Sequence, residues 1–197
     1  MLTLYHAPMS RSGNVHWLLE ELEVPYELKI VDIRRGDGSG ARDPQNPHPH
    51  GKVPCLVHDG RRVFEIAAIT LYLTDLFPEK KLAPVVGDPL RGEYLSWLAW
   101  RPGVLEPSML MRRFGVKHVP GTMGWAEAGE VEAVLNETLA NRPYLLGDTF
   151  SAADISVGGT VAFLMQFKIL NETPTLKEYA SRISARPALQ RAMERDR

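Results

Sequence analysis

Apolar residues repeat with two different periods along the chain, and the change of period divides it. Leu2, Thr3, Leu4 and Tyr5 predict a short first strand, and His6 to Ser12 form a polar, proline-bearing loop. A helix begins near Gly13. Its apolar stripe is Val15, Leu18, Leu19 and Leu22, spaced by three and four, with Glu20, Glu21 and Glu23 outside it. Tyr26 to Val31 predict a second strand, closing a strand–helix–strand unit with parallel strands and a right-handed crossover. Residues 34–51 have no sustained apolar period and hold four glycines and three prolines, so any helix there must be short, and the segment is a candidate mobile lid. Residues 53–58 then predict a buried strand, Asp59-Gly60 a hairpin turn, and Arg62 to Phe64 the partner strand. A helix with Ile66, Ile69, Leu73 and Leu76 on one face follows at once.

Beyond this point the period-two pattern disappears. Pro78, Pro84, Gly87 and Pro89 mark a linker over 79–89, separating a domain of 1–78 from one of 90–197 with helical periodicity alone. The expectation is an α/β domain followed by an all-α domain. A helix through Leu95, Leu98 and Ala99 meets Pro102-Gly103 and Pro107, which should kink or interrupt it. Another is predicted from about Met123 to Ala140, with Val131, Val134 and Leu135 on one face. Ser151 and Asp154 have the spacing of a capping box, with Phe150 placed to meet Ile155 as a hydrophobic staple. Thr173-Pro174 starts a helix bearing Leu176, Tyr179 and Ile183, and a last short one follows Pro187.

Composition narrows the function. A net charge of −1 in 197 residues gives no overall attraction to polyanions, so neither nucleic acid nor an anionic membrane is an expected partner. Cys55 is the only cysteine, which excludes an intramolecular disulfide and a cysteine-only metal cluster and fits a reducing compartment. No leader pattern opens the sequence, and the apolar stretch from Ile155 to Phe167 is short and carries Gly158-Gly159. A soluble cytoplasmic protein is expected.

Five places are candidates for chemistry. Pro54 heads a strand that otherwise reads as central, which a cis Val53-Pro54 bond would explain. Val53 could then offer its free N–H and C=O to a bound peptide, as in strand addition. Glu65, at the positive end of a helix, is either a cap or a ligand group. Ser10 and Ser12 stand where a helix start favours an anion, and either could instead cap that helix. Cys55, within a buried strand, reads as a small hydrophobe, and the His48-Pro-His50 run reads as loop, leaving no metal site.

The order basic residue, Val-Pro, strand, Asp-Gly turn, strand, Glu at a helix start, together with LYHAPMSRSGNVHWLLEEL near the beginning, strongly resembles the cytosolic glutathione transferases. The resemblance covers nearly the whole chain. It implies a thioredoxin-like N-terminal domain that binds glutathione as co-substrate, and an all-helical C-terminal domain contributing a pocket for a small hydrophobic electrophile. It also implies a homodimer. In serine-type (theta- or delta-like) members a hydroxyl two places after the loop proline donates to the sulfur, and that position is Ser10 here, with Ser12 second. Lys52 matches the group that pairs with the glycine carboxylate, with Arg11, His48 and His50 as helpers; Val53 and Pro54 match the Val-Pro pair. Glu65 matches the acid that holds the γ-glutamyl ammonium. The family's usual serine after that acid is Ile66, which keeps the amide and lacks the hydroxyl. Leu105 and Met109, with Met111 and Phe114, fall where the family's electrophile pocket lies; core packing explains them equally well. The implied activity is thiolate attack on an electrophile. Glutathione-dependent disulfide or peroxide reduction, and a non-enzymatic dimerising or regulatory module of the same fold, are the alternatives.

Overall fold

The computed structural model describes residues 1–196. In chain order the elements are β1 (Leu2–His6), α1 (Gly13–Leu22), β2 (Tyr26–Ile30), β3 (Cys55–His58), β4 (Arg61–Phe64), α2 (Ile66–Leu76), α3 (Arg91–Trp100), α4 (Glu106–Arg113), α5 (Ala128–Leu139), α6 (Gly159–Gln166), α7 (Pro174–Ser184) and α8 (Pro187–Arg195). They form two compact units. Residues 78–185 make one, and residues 1–77 together with the segment from Arg186 onward make the other. None of the described helices is long and apolar enough to cross a membrane.

The first unit is a four-stranded mixed sheet in the order β2-β1-β3-β4. β1 pairs parallel with β2 and antiparallel with β3, and Leu4 and Leu56, facing each other across that second ladder, are both fully buried. The β3–β4 turn has positive φ at Asp59 (47°) and Gly60 (77°), the primed turn that matches strand twist. β3 begins at Cys55, two residues later than the apolar run suggests, because Pro54 has no N–H to give to a ladder. The Val53-Pro54 bond is cis, as expected.

The loop after β2 contains no helix, and its polar side chains organise it. Asp32 accepts from the N–H groups of Ile33 (2.8 Å) and Ala41 (2.7 Å), and the Asn46 amide donates to the Lys52 carbonyl (2.9 Å). Glu20 and Glu21 lie outside the stripe of α1 yet are largely covered, with side-chain exposures of 11% and 8%, because α8 supplies them with arginines. Arg186 grips Glu21 with two contacts of 2.5 and 2.8 Å, and Arg191 and Arg195 both reach Glu20. Such fork-to-fork pairing compensates carboxylates that would otherwise be costly to cover.

In the helical unit, α3 and α4 form one run joined by a π-helical turn over Arg101–Leu105. Pro102 sits at its start, and the wider register accommodates a residue that cannot donate in a regular helix. The buried face of α3 is Tyr94, Trp97 and Leu98; Leu95 and Ala99 are exposed. α5 starts at Ala128 rather than near Met123, since Glu127 and Glu130 form a reciprocal capping box that fixes its first turn. Val131 and Leu135 are buried as expected, whereas Val134 is exposed. Thr173 caps α7 by accepting from the Leu176 N–H (3.2 Å).

The Ser151–Asp154 box is half of a larger knot. Asp154, fully buried, accepts from the N–H groups of Ser151 (2.9 Å) and Leu145 (2.9 Å) and from the Tyr179 hydroxyl (2.8 Å). Burial raises its carboxyl above the usual range, and these donors oppose the rise. Gly158 makes the knot possible, because a Cβ there would stand 2.6 Å from the Tyr179 hydroxyl oxygen. Asp154→Ala is therefore expected to cost about 3–5 kcal/mol, against about 1 kcal/mol for an ordinary cap, because four buried donors, the Ser151 hydroxyl (3.2 Å) among them, lose their acceptor. Asp154→Asn, which keeps one acceptor oxygen, should cost less. Urea denaturation of both variants measures the difference, and a loss under about 1 kcal/mol for alanine would show that the knot carries no such weight.

Candidate functional site

Strand register gathers three separate segments at one end of the sheet. Tyr5 stands opposite Cys55, and Cys55 opposite Phe64, so the loop leaving β1, the residues entering β3 and the residue leaving β4 lie side by side. Ala7, Val31 and Val53 pack together beneath them, with Tyr5 and Ile33 against the cluster. Ser10, Ser12, Val53, Pro54 and Glu65 therefore share one edge.

The two serines are not equivalent. Ser12 is fully buried, and its hydroxyl turns back toward the strand, 2.7 Å from His6 Nδ1 and accepting from the Ala7 N–H (3.2 Å), instead of capping α1. Ser10 is half-buried. Its hydroxyl donates to the Ala7 carbonyl (2.6 Å) and lies 2.7 Å from Ser12 Oγ. Of the two, only Ser10 has a side chain at the surface.

Glu65 does not act as a side-chain cap of α2. Its φ of 69° is a conformation costing about 1–3 kcal/mol for a residue with a Cβ, and its side chain makes no capping bond. Glu65 is exposed at the end of β4. Ile66 follows at 9% exposure, with its N–H in the first turn of α2. Lys52 and His50 are exposed, as is Arg11, while His48 is buried and donates its N–H to Asn46 Oδ1 (3.0 Å). Burial holds the His48 imidazole below its usual range, partly offset by the Glu65 carboxylate. Cys55 is fully buried, and burial pushes its thiol up to about 11, which makes it a packing residue. Leu105 and Met109 are fully buried within the helical unit, as core residues are.

Three polar residues of the first unit escaped the sequence reading. His6, His16 and Asp196 meet beneath the serine loop, both histidines with no exposure. Burial holds both imidazoles below their usual range; the Asp196 carboxylate opposes it, His16 adds to it at His6, and Arg195 adds to it at His16. His6 was detectable, since alternation along β1 puts it on the same face as Leu2 and Leu4.

A thioredoxin-like α/β unit followed by an all-helical unit is the architecture of the glutathione transferase fold. Residues 9–76 match the family model for the glutathione S-transferase N-terminal domain, and residues 127–196 that for the C-terminal domain. The chain is 34% identical over 211 residues to the disulfide-bond oxidoreductase YfcG of Escherichia coli K12, covering 98% of this chain and 94% of that protein. It is 30% identical over 219 residues to glutathione S-transferase 3 of Schizosaccharomyces pombe, covering 99% and 88%. A sphingomonad glutathione S-transferase solved in complex with glutathione superimposes with a TM-score of 0.78 at 28% identity, covering 98% of each chain. The chain belongs to the glutathione S-transferase family.

Because Ser12 Oγ is the buried partner of His6 and Ala7, Ser12→Ala is expected to destabilise the first unit by about 1–3 kcal/mol. Ser10→Ala, whose partners water can reach, should cost under about 1 kcal/mol. Chemical denaturation ranks the two, and equal losses would contradict the difference in their surroundings.

Proposed function

We propose that the protein is a glutathione transferase that holds the glutathione thiol as a thiolate and directs it at electrophilic small molecules. The observation that carries this reading is Glu65: a strained, exposed carboxylate beside Val53 that caps nothing. A peptide ammonium is the chemistry that fits such a group. The sphingomonad relative with glutathione bound, and the assembled order of Lys52, Val53, Pro54 and Glu65, support the same ligand.

In this reading Lys52 pairs with the glycine carboxylate, helped by Arg11 and His50, Val53 meets the ligand backbone, and Glu65 with the Ile66 amide holds the γ-glutamyl end. Ser10 acts on the sulfur in the manner of the serine-type members, with Ser12 supporting it from behind. A hydroxyl has one proton to give, and Ser10 gives it to the Ala7 carbonyl in the absence of ligand. It must turn that proton to the sulfur, so its net effect on the thiolate falls below the about 1.5–3 kcal/mol of a charged hydrogen bond. The thiolate then forms a C–S bond as the leaving group departs. The thiol chemistry itself calls for no metal. The helical domain supplies the electrophile pocket, Leu105 and Met109 backing its wall from the core, and the protein works as a cytoplasmic homodimer.

Glutathione-dependent disulfide reduction is the second reading, favoured by the likeness to YfcG, which is named a disulfide-bond oxidoreductase. With Cys55 buried and its thiol raised, the sulfur chemistry would again belong to glutathione.

Glu65→Ala should weaken glutathione binding at least tenfold more than Glu79→Ala in calorimetric titration; equal effects would remove the assignment. Ile66→Ser should tighten binding by about 0.5–1.5 kcal/mol through the restored hydroxyl while lowering stability, since Ile66 is buried. Ser10→Ala should raise the pKa of the bound thiol by about one unit and reduce turnover more than affinity. Thiolate absorbance against pH, for wild type and variant, decides that point, and unmoved curves would exclude Ser10.

A further inference from the structure

Below the serine loop, three side chains from distant parts of the sequence converge on a single point. His6 closes β1, His16 lies in α1 and Asp196 follows α8. His6 Nε2 stands 3.0 Å from Asp196 Oδ1, and His16 Nδ1 stands 2.9 Å from the same oxygen. The three atoms lie within 4.8 Å of one another, and the two rings are 5.1 Å apart and inclined at 57°.

The distances suit hydrogen bonds, but the directions do not. His6 Nε2, His16 Nδ1 and Asp196 Oδ1 are all buried, and they meet as an ion-pair contact without a well-directed hydrogen bond; His16 Nε2, on the far side of its ring, is buried and lacks a directed partner as well. A buried polar atom without a well-directed hydrogen bond forfeits part of the about 1–3 kcal/mol that pairing is worth, and three such atoms that face one another would all be satisfied by one common partner. One oxygen facing two imidazole nitrogens off axis is how co-ligands of one ion stand. Two donors with bonds of about 2.1 Å lie about 3 Å apart at the right angle of an octahedral site and about 3.4 Å apart at the tetrahedral angle, so the pairs here need open only a few tenths of an ångström to hold a tetrahedral ion. The far side of His6 agrees. Its Nδ1 is 2.7 Å from Ser12 Oγ, and a metal-bound imidazole donates its other N–H to such an acceptor, which fixes the tautomer that leaves the Nε2 lone pair free.

Neighbouring charge does not forbid a cation. Arg195, whose charge bears on His16, is held by Glu20 at 2.6 Å, and Glu20 also takes Arg191. The Asp196 side chain is 23% exposed, which leaves an approach for the ion and for the water that would complete its coordination.

We infer that His6 Nε2, His16 Nδ1 and Asp196 Oδ1 bind one divalent first-row transition ion of the zinc class. Two imidazoles and one carboxylate match that class, whereas magnesium and calcium prefer all-oxygen sites and copper(I) prefers sulfur. The ion would fasten the segment after α8 to β1 and α1. Through the His6 tautomer it would also set which way the Ser12 hydroxyl points. The inference stands apart from the proposed glutathione chemistry.

The test uses the full chain, stripped with a chelator and dialysed, then titrated with zinc by calorimetry and with cobalt(II) by visible absorption. One ion per chain is expected, with a cobalt spectrum distinct from the aqueous ion and a melting temperature raised by zinc. Asp196→Asn and His16→Gln should each weaken zinc at least tenfold, while His50→Ala, which removes an exposed imidazole, should leave it unchanged. Asp196→Asn keeps the test decisive if His16→Gln does not fold. Absence of binding, binding that survives both ligand changes, or binding abolished by His50→Ala would each overturn the site. A stability that follows pH and ignores zinc would mark the trio as an internal ion pair and overturn it equally.

Discussion

The first unit depends on β1 being paired along both edges. Between β2 and β3 it has no free edge, so its register fixes the ladders on either side. Each residue leaving or entering that end of the sheet is thereby assigned a neighbour before any ligand is considered. The loop with Ser10, the Val53-Pro54 pair and Glu65 are far apart in sequence, and two antiparallel ladders make them adjacent. The strain at Glu65 is sustainable only because that frame is rigid: the strand behind it and the helix after it are both anchored, by Val63 through its ladder with Leu56 and by Ile69 in the core.

Much of this was legible in residue spacing. The Val15, Leu18, Leu19, Leu22 stripe and the Asp59-Gly60 turn each depend on neighbours within one element, and both formed as the sequence implies. The cis bond at Pro54 was legible for a similar local reason. What escaped depends on partners far along the chain. Glu20 and Glu21 look like solvent-facing residues of α1, and only Arg186, Arg191 and Arg195 make them interior. Asp154 looked like a cap because its partner in the box is three residues away; Leu145 and Tyr179, which make it a knot, carry no local sign. The candidate site divides similarly: Glu65 and Val53 sit in a motif, whereas the inward turn of Ser12 toward His6 could be seen only once β1 and α1 were packed.

Ser12 is also where the two polar systems of the first unit touch. Its hydroxyl is 2.7 Å from Ser10 on one side and 2.7 Å from His6 on the other. A hydroxyl that accepts from one neighbour is free to donate to the next, so the proton arrangement around His6 is passed on to the serine loop. The surface chemistry and the buried histidines are thus joined through one oxygen.

The return of the segment from Arg186 onward to the first unit has a consequence for synthesis. A unit whose acidic helix face is covered by α8 is discontinuous in sequence, with the whole helical unit inserted between its parts. During translation, residues 1–77 emerge with Glu20 and Glu21 uncovered and must wait for more than a hundred further residues before the arginines arrive. The helical unit, continuous over 78–185, is under no such delay. Vectorial synthesis therefore leaves the part made first to be the part finished last.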